Sequence, residues 1–340
     1  MKTTSYQPPH AMTPEITRLV AAISEIVGRF AATADVTITP RLRRENRIRG
    51  IQGSLAIEQN SLSLDQVTAI IQGRRVLGAP REIQEVRNAF VAYEALSSWS
   101  PTEMDDLLTA HRLLMAGLVD EAGVFRRGRV GVFKDQQVVH VAPPAQRVPK
   151  LMGDLLHWLK TTAEHPLIAG CLFHYELEFI HPFADGNGRI GRLWQTLILS
   201  QWQPWLSYVP VESVVRERQE AYYEALRESD QQADATRFVV FMLEALRDTL
   251  HQLTADQVGD QVTDQVKSFL RVLTVGEMTL SEAMKKLSLA HRPTFRGNYV
   301  HPALKMGLIE MTQPEAPRSP TQRYRLTPKG RSILKELGNV

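Results

Sequence analysis

Residues 181–192 read HPFADGNGRIGR and hold one imidazole, one carboxylate, two glycines around an asparagine, and two arginines. An imidazole neutral near pH 7 suits His181 to general-base work on a hydroxyl nucleophile. Asp185 is a hard oxygen ligand of the kind Mg2+ takes when it accompanies nucleotide phosphates. Gly186, Asn187 and Gly188 make a glycine-flanked turn opening onto a helix at about Arg189, which would aim several backbone N–H groups at an anion. Arg189 and Arg192, one turn apart, share a helix face and could grip one polyphosphate as forked donors. Taken singly, each is an ordinary turn residue, surface arginine or capping aspartate. Their concentration in a single stretch points to a phosphate site. The chain has no G-x-x-x-x-G-K-[ST], so this is not a P-loop.

The elements that must hold this cluster are mostly helical. Apolar residues recur at three- and four-residue spacing over 14–30, 81–96 and 101–118, and helical patterns resume over 148–162, 166–179, 188–202, 213–230 and 235–254. The helix before the cluster must end at His181, because Pro182 disfavours helix in the residue preceding it. Between Phe125 and Pro144, two β-rich runs flank a polar KDQQ and predict a β-hairpin ended by Pro143–Pro144. The four-residue repeat Val258–Val262–Val266 predicts a connecting helix with a narrow apolar stripe. Helices are then expected at 265–275, 280–288 and 296–308, followed by two short strands around a Pro-rich turn and a last helix. That is the order of a winged helix.

Composition sets the class. The chain has 340 residues, 43% hydrophobic and 23% charged, enough for about two domains with proper cores. No apolar run approaches the ~20 residues of a membrane span. The first residues lack the basic-then-apolar pattern of a signal peptide, so a cytoplasmic protein is expected. The lone Cys171 excludes an internal disulfide and a cysteine-based zinc site, and its apolar helical context predicts burial. The net charge of +3 is uneven: residues 264–340 carry 13 Lys+Arg against 6 Asp+Glu, a surplus of +7 that leaves −4 elsewhere. An anionic partner for the C-terminal part is one reading of that asymmetry.

HPFADGNGRIGR resembles the Fic-family signature H-x-F-x-[D/E]-G-N-G-R-x-x-R at every specified position, and the resemblance extends over roughly residues 13–250. It implies a mainly α protein: a Fic helical domain with a β-hairpin flap, followed by a C-terminal winged-helix domain. The implied division is 1–100 for an N-terminal helical region with an inhibitory motif, 101–255 for the catalytic domain, and 256–340 for a linker helix and the winged helix. Fic proteins mostly transfer AMP from ATP, with Mg2+, to a hydroxyl side chain of a target protein. By that similarity His181 is the base, Phe183 fixes the loop, and Asp185 holds the metal. Gly186, Asn187 and Gly188 form the phosphate nest, and Arg189 and Arg192 take the outer phosphates. A flap at about 130–141, with Val138, Val139 and His140 near the nucleotide, would hold the target by strand addition. Tyr222 and Tyr223 match a family pair beside the adenine. Asp230 stands where relatives often carry Asn.

The stretch SLAIEQN at 54–60 resembles the Fic inhibitory motif [S/T]-x-x-x-E-[G/N] in Ser54 and Glu58, with Gln59 departing from Gly or Asn. It implies competition for Arg192 between Glu58 and the ATP γ-phosphate. The resemblance leaves open de-AMPylation, and transfer of UMP, phosphocholine or a terminal phosphate. Self-modification and a homodimer are family-level expectations. Residues 264–340 resemble winged-helix modules appended to some bacterial Fic proteins. Arg292, Arg296 and Lys305 are expected at the recognition helix and Arg318, Arg323 and Arg325 on the wing. A DNA-binding regulator is the competing expectation from another class.

Overall fold

The computed structural model describes residues 6–32, 39–128, 131–134, 137–261, 263–317, 319 and 321–336. Side chains are described throughout these except at 31–32, 131–134, 137–141, 254–261 and 335–336. The chain divides into two units, Met1–Leu250 and His251–Val340. Among the described residues, no helix is long and apolar enough to cross a membrane.

In the first unit, α1 (Pro14–Ala32), α2 (Pro40–Ile57), α3 (Leu64–Ile71), α4 (Pro80–Glu94) and α5 (Met104–Leu114) precede a two-stranded antiparallel sheet. Its strands are β1 (Gly131–Lys134) and β2 (Gln137–Val141). The pairs Val132–His140 and Phe133–Val138 leave Val139 as the extra residue of a bulge. Then follow α6 (Val148–Thr161), α7 (Pro166–Ile180), α8 (Asn187–Trp202), α9 (Val211–Glu217), α10 (Gln219–Gln232) and the long α11 (Thr236–Gln261).

The core is built on α7 and α8, which pack against each other. The α7 sequence is apolar on nearly every face, and such a helix belongs inside. Every residue from Leu167 to Leu177 is buried, Cys171 among them. Phe173, Leu177 and Leu197 are fully enclosed, each contributing roughly 1.5–3 kcal/mol of burial. Both helices are therefore immobilised by packing, and the six-residue loop between them inherits their rigidity.

By contrast α2 is polar in sequence (PRLRRENRIRGIQGSLAI), with no amphipathic stripe to announce it. It nevertheless buries Leu42, Ile48, Ile51, Leu55 and Ile57. Gly53 makes this possible, since a Cβ there would lie 2.8 Å from the Glu212 backbone of α9. That close approach brings the C-terminal end of α2 beside α8.

The second unit contains α12 (Asp264–Val272), α13 (Leu280–Lys286), α14 (Arg292–Phe295), a π-turn (Arg296–Val300) and α15 (His301–Lys305). Strands β3 (Ile309–Met311) and β4 (Tyr324–Leu326) pair antiparallel, and α16 (Pro328–Glu336) closes it. This is the expected winged-helix order. Its core gathers Phe269, Leu270, Phe295, Val300, Ala303, Ile309 and Tyr324. The valine repeat does not form one connecting helix. Helix α11 stops at Gln261, and the Thr263 hydroxyl caps α12 by accepting from the Val266 N–H at 3.3 Å. Val262 lies outside the described residues. A threonine favours an N-cap over a helix interior, so the apolar spacing was overridden by capping.

Candidate active site

The loop between α7 and α8 carries the first functional side chain at its head. His181 ends α7 in the left-handed region (φ 49°), with its own N–H still bonded to Leu177 O. Its Nδ1–H donates to the Glu178 carbonyl at 3.3 Å, and the Glu178 carboxylate lies 4.0 Å from the same nitrogen. That bond selects the tautomer that carries its lone pair on Nε2.

The rest of the loop is fixed by side chains from elsewhere. Asn187 clamps Phe183 twice, accepting from its N–H and donating to its carbonyl, both at 2.9 Å. Phe183 is fully buried and stacks on His111, ring centroids 3.6 Å apart. His111 accepts from the Gly123 N–H at Nδ1 and donates from Nε2 to the Asp185 carbonyl, each at 2.9 Å. Burial lowers its pKa to about 4, so the ring stays neutral and keeps this donor–acceptor sense. Arg126 donates to the carbonyls of His181 (2.6 Å), Ile180 (3.2 Å), Pro143 (2.6 Å) and Gly128 (2.9 Å). One buried guanidinium thus ties the α7–α8 loop to both ends of the hairpin. Sequence reasoning missed both: Arg126 stood unmarked in FRRGR, and His111 passed as one polar position of an amphipathic helix.

The phosphate-facing half begins with Gly186 (φ 86°) capping α8, which starts at Asn187, two residues earlier than expected. The N–H groups of Asn187, Gly188 and Arg189 have no carbonyl one turn back to bond. Arg189 is 5% exposed and pairs with Asp185 Oδ1 at 2.9 Å and Glu85 at 3.3 Å. The other Asp185 oxygen pairs with Arg81 at 3.0 Å. Asn60, just past the α2 end, donates to Glu85 at 2.9 Å and joins the same network. Among the described residues no three His, Cys, Asp or Glu side chains gather as a metal cage. One half-exposed carboxylate, Asp185, fits a Mg2+ whose other ligands are phosphate oxygens and water.

Arg192 is 3% exposed and donates to the C-terminal end of α2. Its Nε donates to Ser54 Oγ at 3.1 Å, and its Nη2 to the Ser54 carbonyl at 3.0 Å and to Glu58 Oε1 at 2.7 Å. Burial alone would lower the Arg192 pKa, but Glu58, Tyr222 and Glu178 turn the net shift upward, so the guanidinium keeps its charge. A Cβ on Gly188 would collide with Glu58 Oε1 and lie 2.9 Å from Arg192 Nη1. The Glu58 carboxylate therefore lies against the nest itself. Gln59, the departure from the motif, adopts φ 67°. Gly or Asn enters that region readily, which accounts for their appearance in the pattern.

The Tyr pair is split. Tyr222 is 1% exposed, packs on Phe238 and Phe241, and donates to His174 Nε2 at 3.2 Å. It presents no ring face for a base in this conformation. Tyr223 is exposed and donates to the Ile57 carbonyl at 3.3 Å, beside Glu58. Asp230 accepts from the Tyr175 hydroxyl at 3.0 Å. Val138, Val139 and His140 lie on β2, which neighbours α10, but their side chains fall outside the described residues.

The Fic/DOC family model matches residues 101–199, and that of the Filamentation induced by cAMP protein Fic-like C-terminal domain matches 264–327. A Fic family protein of known crystal structure from Desulfovibrio desulfuricans G20 is 62% identical, with a TM-score of 0.72, over 96% of this chain and 99% of that one. The chain belongs to the Fic family. Fic-1 of Caenorhabditis elegans resembles this Fic protein at 25% identity and a TM-score of 0.57, over 72% of this chain and 71% of that one. The protein adenylyltransferase fic-1 of Caenorhabditis briggsae is 32% identical over 60% of this chain and 41% of its own length. The protein adenylyltransferase Fic of Drosophila virilis is 29% identical over 62% and 43%. The match thus spans about two fifths of the length of those curated relatives.

Proposed function

We propose that this Fic protein transfers AMP from ATP to a Ser, Thr or Tyr hydroxyl of a protein, and that Glu58 restrains the reaction. His181 Nε2 accepts the hydroxyl proton. The oxygen attacks the α-phosphorus, the bond to the α–β bridging oxygen breaks, and pyrophosphate leaves. The N–H groups at 187–189 with Arg189 and Arg192 bind the phosphates, so positioning and charge neutralisation dominate the rate. Mg2+, held by Asp185 and the phosphates, would offset the charge that develops on the leaving group. Strand β2 would pair with target backbone, a contact indifferent to target sequence.

The observation that carries this reading is the Glu58 carboxylate against Gly188, 2.7 Å from Arg192. A site that accepts one anion there is built for anions. Arg192 Nη2 cannot serve Glu58 and a terminal phosphate together, so ATP bound beside Glu58 sits displaced. Labelled ATP tests the proposal. Label should pass to protein from the α-position and not from the γ-position, and only when His181 is intact. Transfer of γ-label, or α-label transfer undiminished in His181→Ala, would overturn it.

A further inference from the structure

The C-terminal unit carries a surface that the transfer reaction does not use. From Ala283 to Ile309 the chain has no Asp or Glu, while Lys285, Lys286, Arg292, Arg296 and Lys305 all fall within it. Helix α13 ends in the two lysines, a turn follows, and α14 through α15 forms the next helical stretch. Phe295, Val300 and Ala303 turn inward. His291, Thr294, Asn298, His301 and Lys305 recur at alternating three- and four-residue spacing, and all five are exposed. All five lie outside the side that buries Phe295, Val300 and Ala303. Their side chains are hydrogen-bonding types, and they offer no apolar anchor for a partner protein.

Charge pairing separates this face from the wing. Among the described residues, the ion pairs of the unit are Lys267–Asp264, Arg323–Glu282 at 3.5 Å and Arg325–Glu310 at 2.6 Å. The two described wing arginines are thus already neutralised, and Arg318 lies outside the described residues. Among the described residues, none of the five cations at 285–305 forms a close ion pair, although Lys286 lies near enough to Glu282 to help lower its pKa. A helix–turn–helix with cations flanking an exposed Asn/Thr/His stripe matches the needs of a duplex major groove, where phosphates are neutralised at the rim and base edges are read at the centre.

We infer that this unit binds duplex DNA through the face of residues 291–305, with Lys285, Lys286, Arg292, Arg296 and Lys305 on phosphates and Asn298 at a base edge. The wing contributes little. Release of counterions from four or five phosphates sets a log K versus log salt slope of about −4.

The test uses the full chain and a fluorescein-labelled pool of random duplexes, read by anisotropy from about 50 to 200 mM salt. Wild type should bind, losing roughly 250-fold in affinity across that range. Arg292→Glu with Lys305→Glu should weaken binding at least tenfold at low salt, whereas Arg323→Gln with Arg325→Gln should change it less than about threefold. Asn298→Ala should keep pool binding but relax the sequence preference recovered by selection. Equal thermal melts of these exposed-site variants exclude misfolding as the cause. No binding at the lowest salt, as for a helix that docks protein, would overturn the inference. So would a larger loss in the wing variant than in the helix variant.

Discussion

At the head of α8, Arg189 and Arg192 are 5% and 3% exposed, and each is bound to a carboxylate carried by another helix. Among the described residues, the cations at 285–305 form no close ion pair, and Lys285, Lys286, Arg292 and Lys305 lie open to water. Under the two proposals, these regions use positive charge for different ligands. A buried guanidinium must be paired, because an uncompensated charge inside a protein is expensive. A phosphate reaching Arg192 therefore has to displace something, and the displaced group becomes a gate. An exposed lysine is kept by water and counterions, so its ligand meets only salt as a competitor.

Removing the base should give the largest effect and leave the pairing untouched: His181→Ala should cut α-label transfer by about 10²–10⁴-fold. Breaking the pair itself, Glu58→Gly should raise label transfer and self-labelling by about 100-fold, the scale of a 1 Å correction in substrate position. The same variant leaves Arg192 uncompensated and should melt earlier without nucleotide, with ATP restoring more of the loss than in wild type. Salt sharpens the contrast. Between about 50 and 200 mM, DNA affinity should fall roughly 250-fold while transfer by Glu58→Gly changes less than about twofold, since the buried groups are screened little.

Acid separates the regions by stability. Burial holds His111 at about 4 and His174 at about 3, below the usual imidazole value of 6.5. Between these values and 6.5 the unfolded chain binds protons that the folded chain refuses, so stability falls as pH drops. Glu176, buried against the Tyr6 hydroxyl, is raised to about 7 and acts in the opposite sense, losing stability as pH rises from 4.5 to 7. The net loss from pH 6.5 to 4.5 should be roughly 2–3 kcal/mol by thermal melts, and steeper in Glu176→Gln. The smallest effect is expected at Gln59→Gly, which relieves a left-handed glutamine and should add about 1 kcal/mol or less in denaturant titration.

Much of this was legible in one dimension. The helices around the site announce themselves by apolar spacing, and the 181–192 stretch carries its chemistry in consecutive residues. Ser54 and Glu58 were found only through a resemblance, because α2 hides its burial behind a polar sequence and the close approach at Gly53. His111 and Arg126 were not found at all. Each acts through carbonyl oxygens supplied by distant segments, and a backbone acceptor leaves no mark in a sequence. The split valine repeat shows the reverse case, a pattern outweighed by one capping threonine.

The carboxylate lodged against Gly188 has a consequence for variation. On the proposed function, Glu58 and nucleotide share the same missing atom, so any side chain at 188 should exclude both, and no substitution there should favour one over the other. Activating changes must arise where only one tenant is touched. A selection for constitutively active variants should therefore return hits at Ser54, at Glu58 and along α2, and should return none at 188.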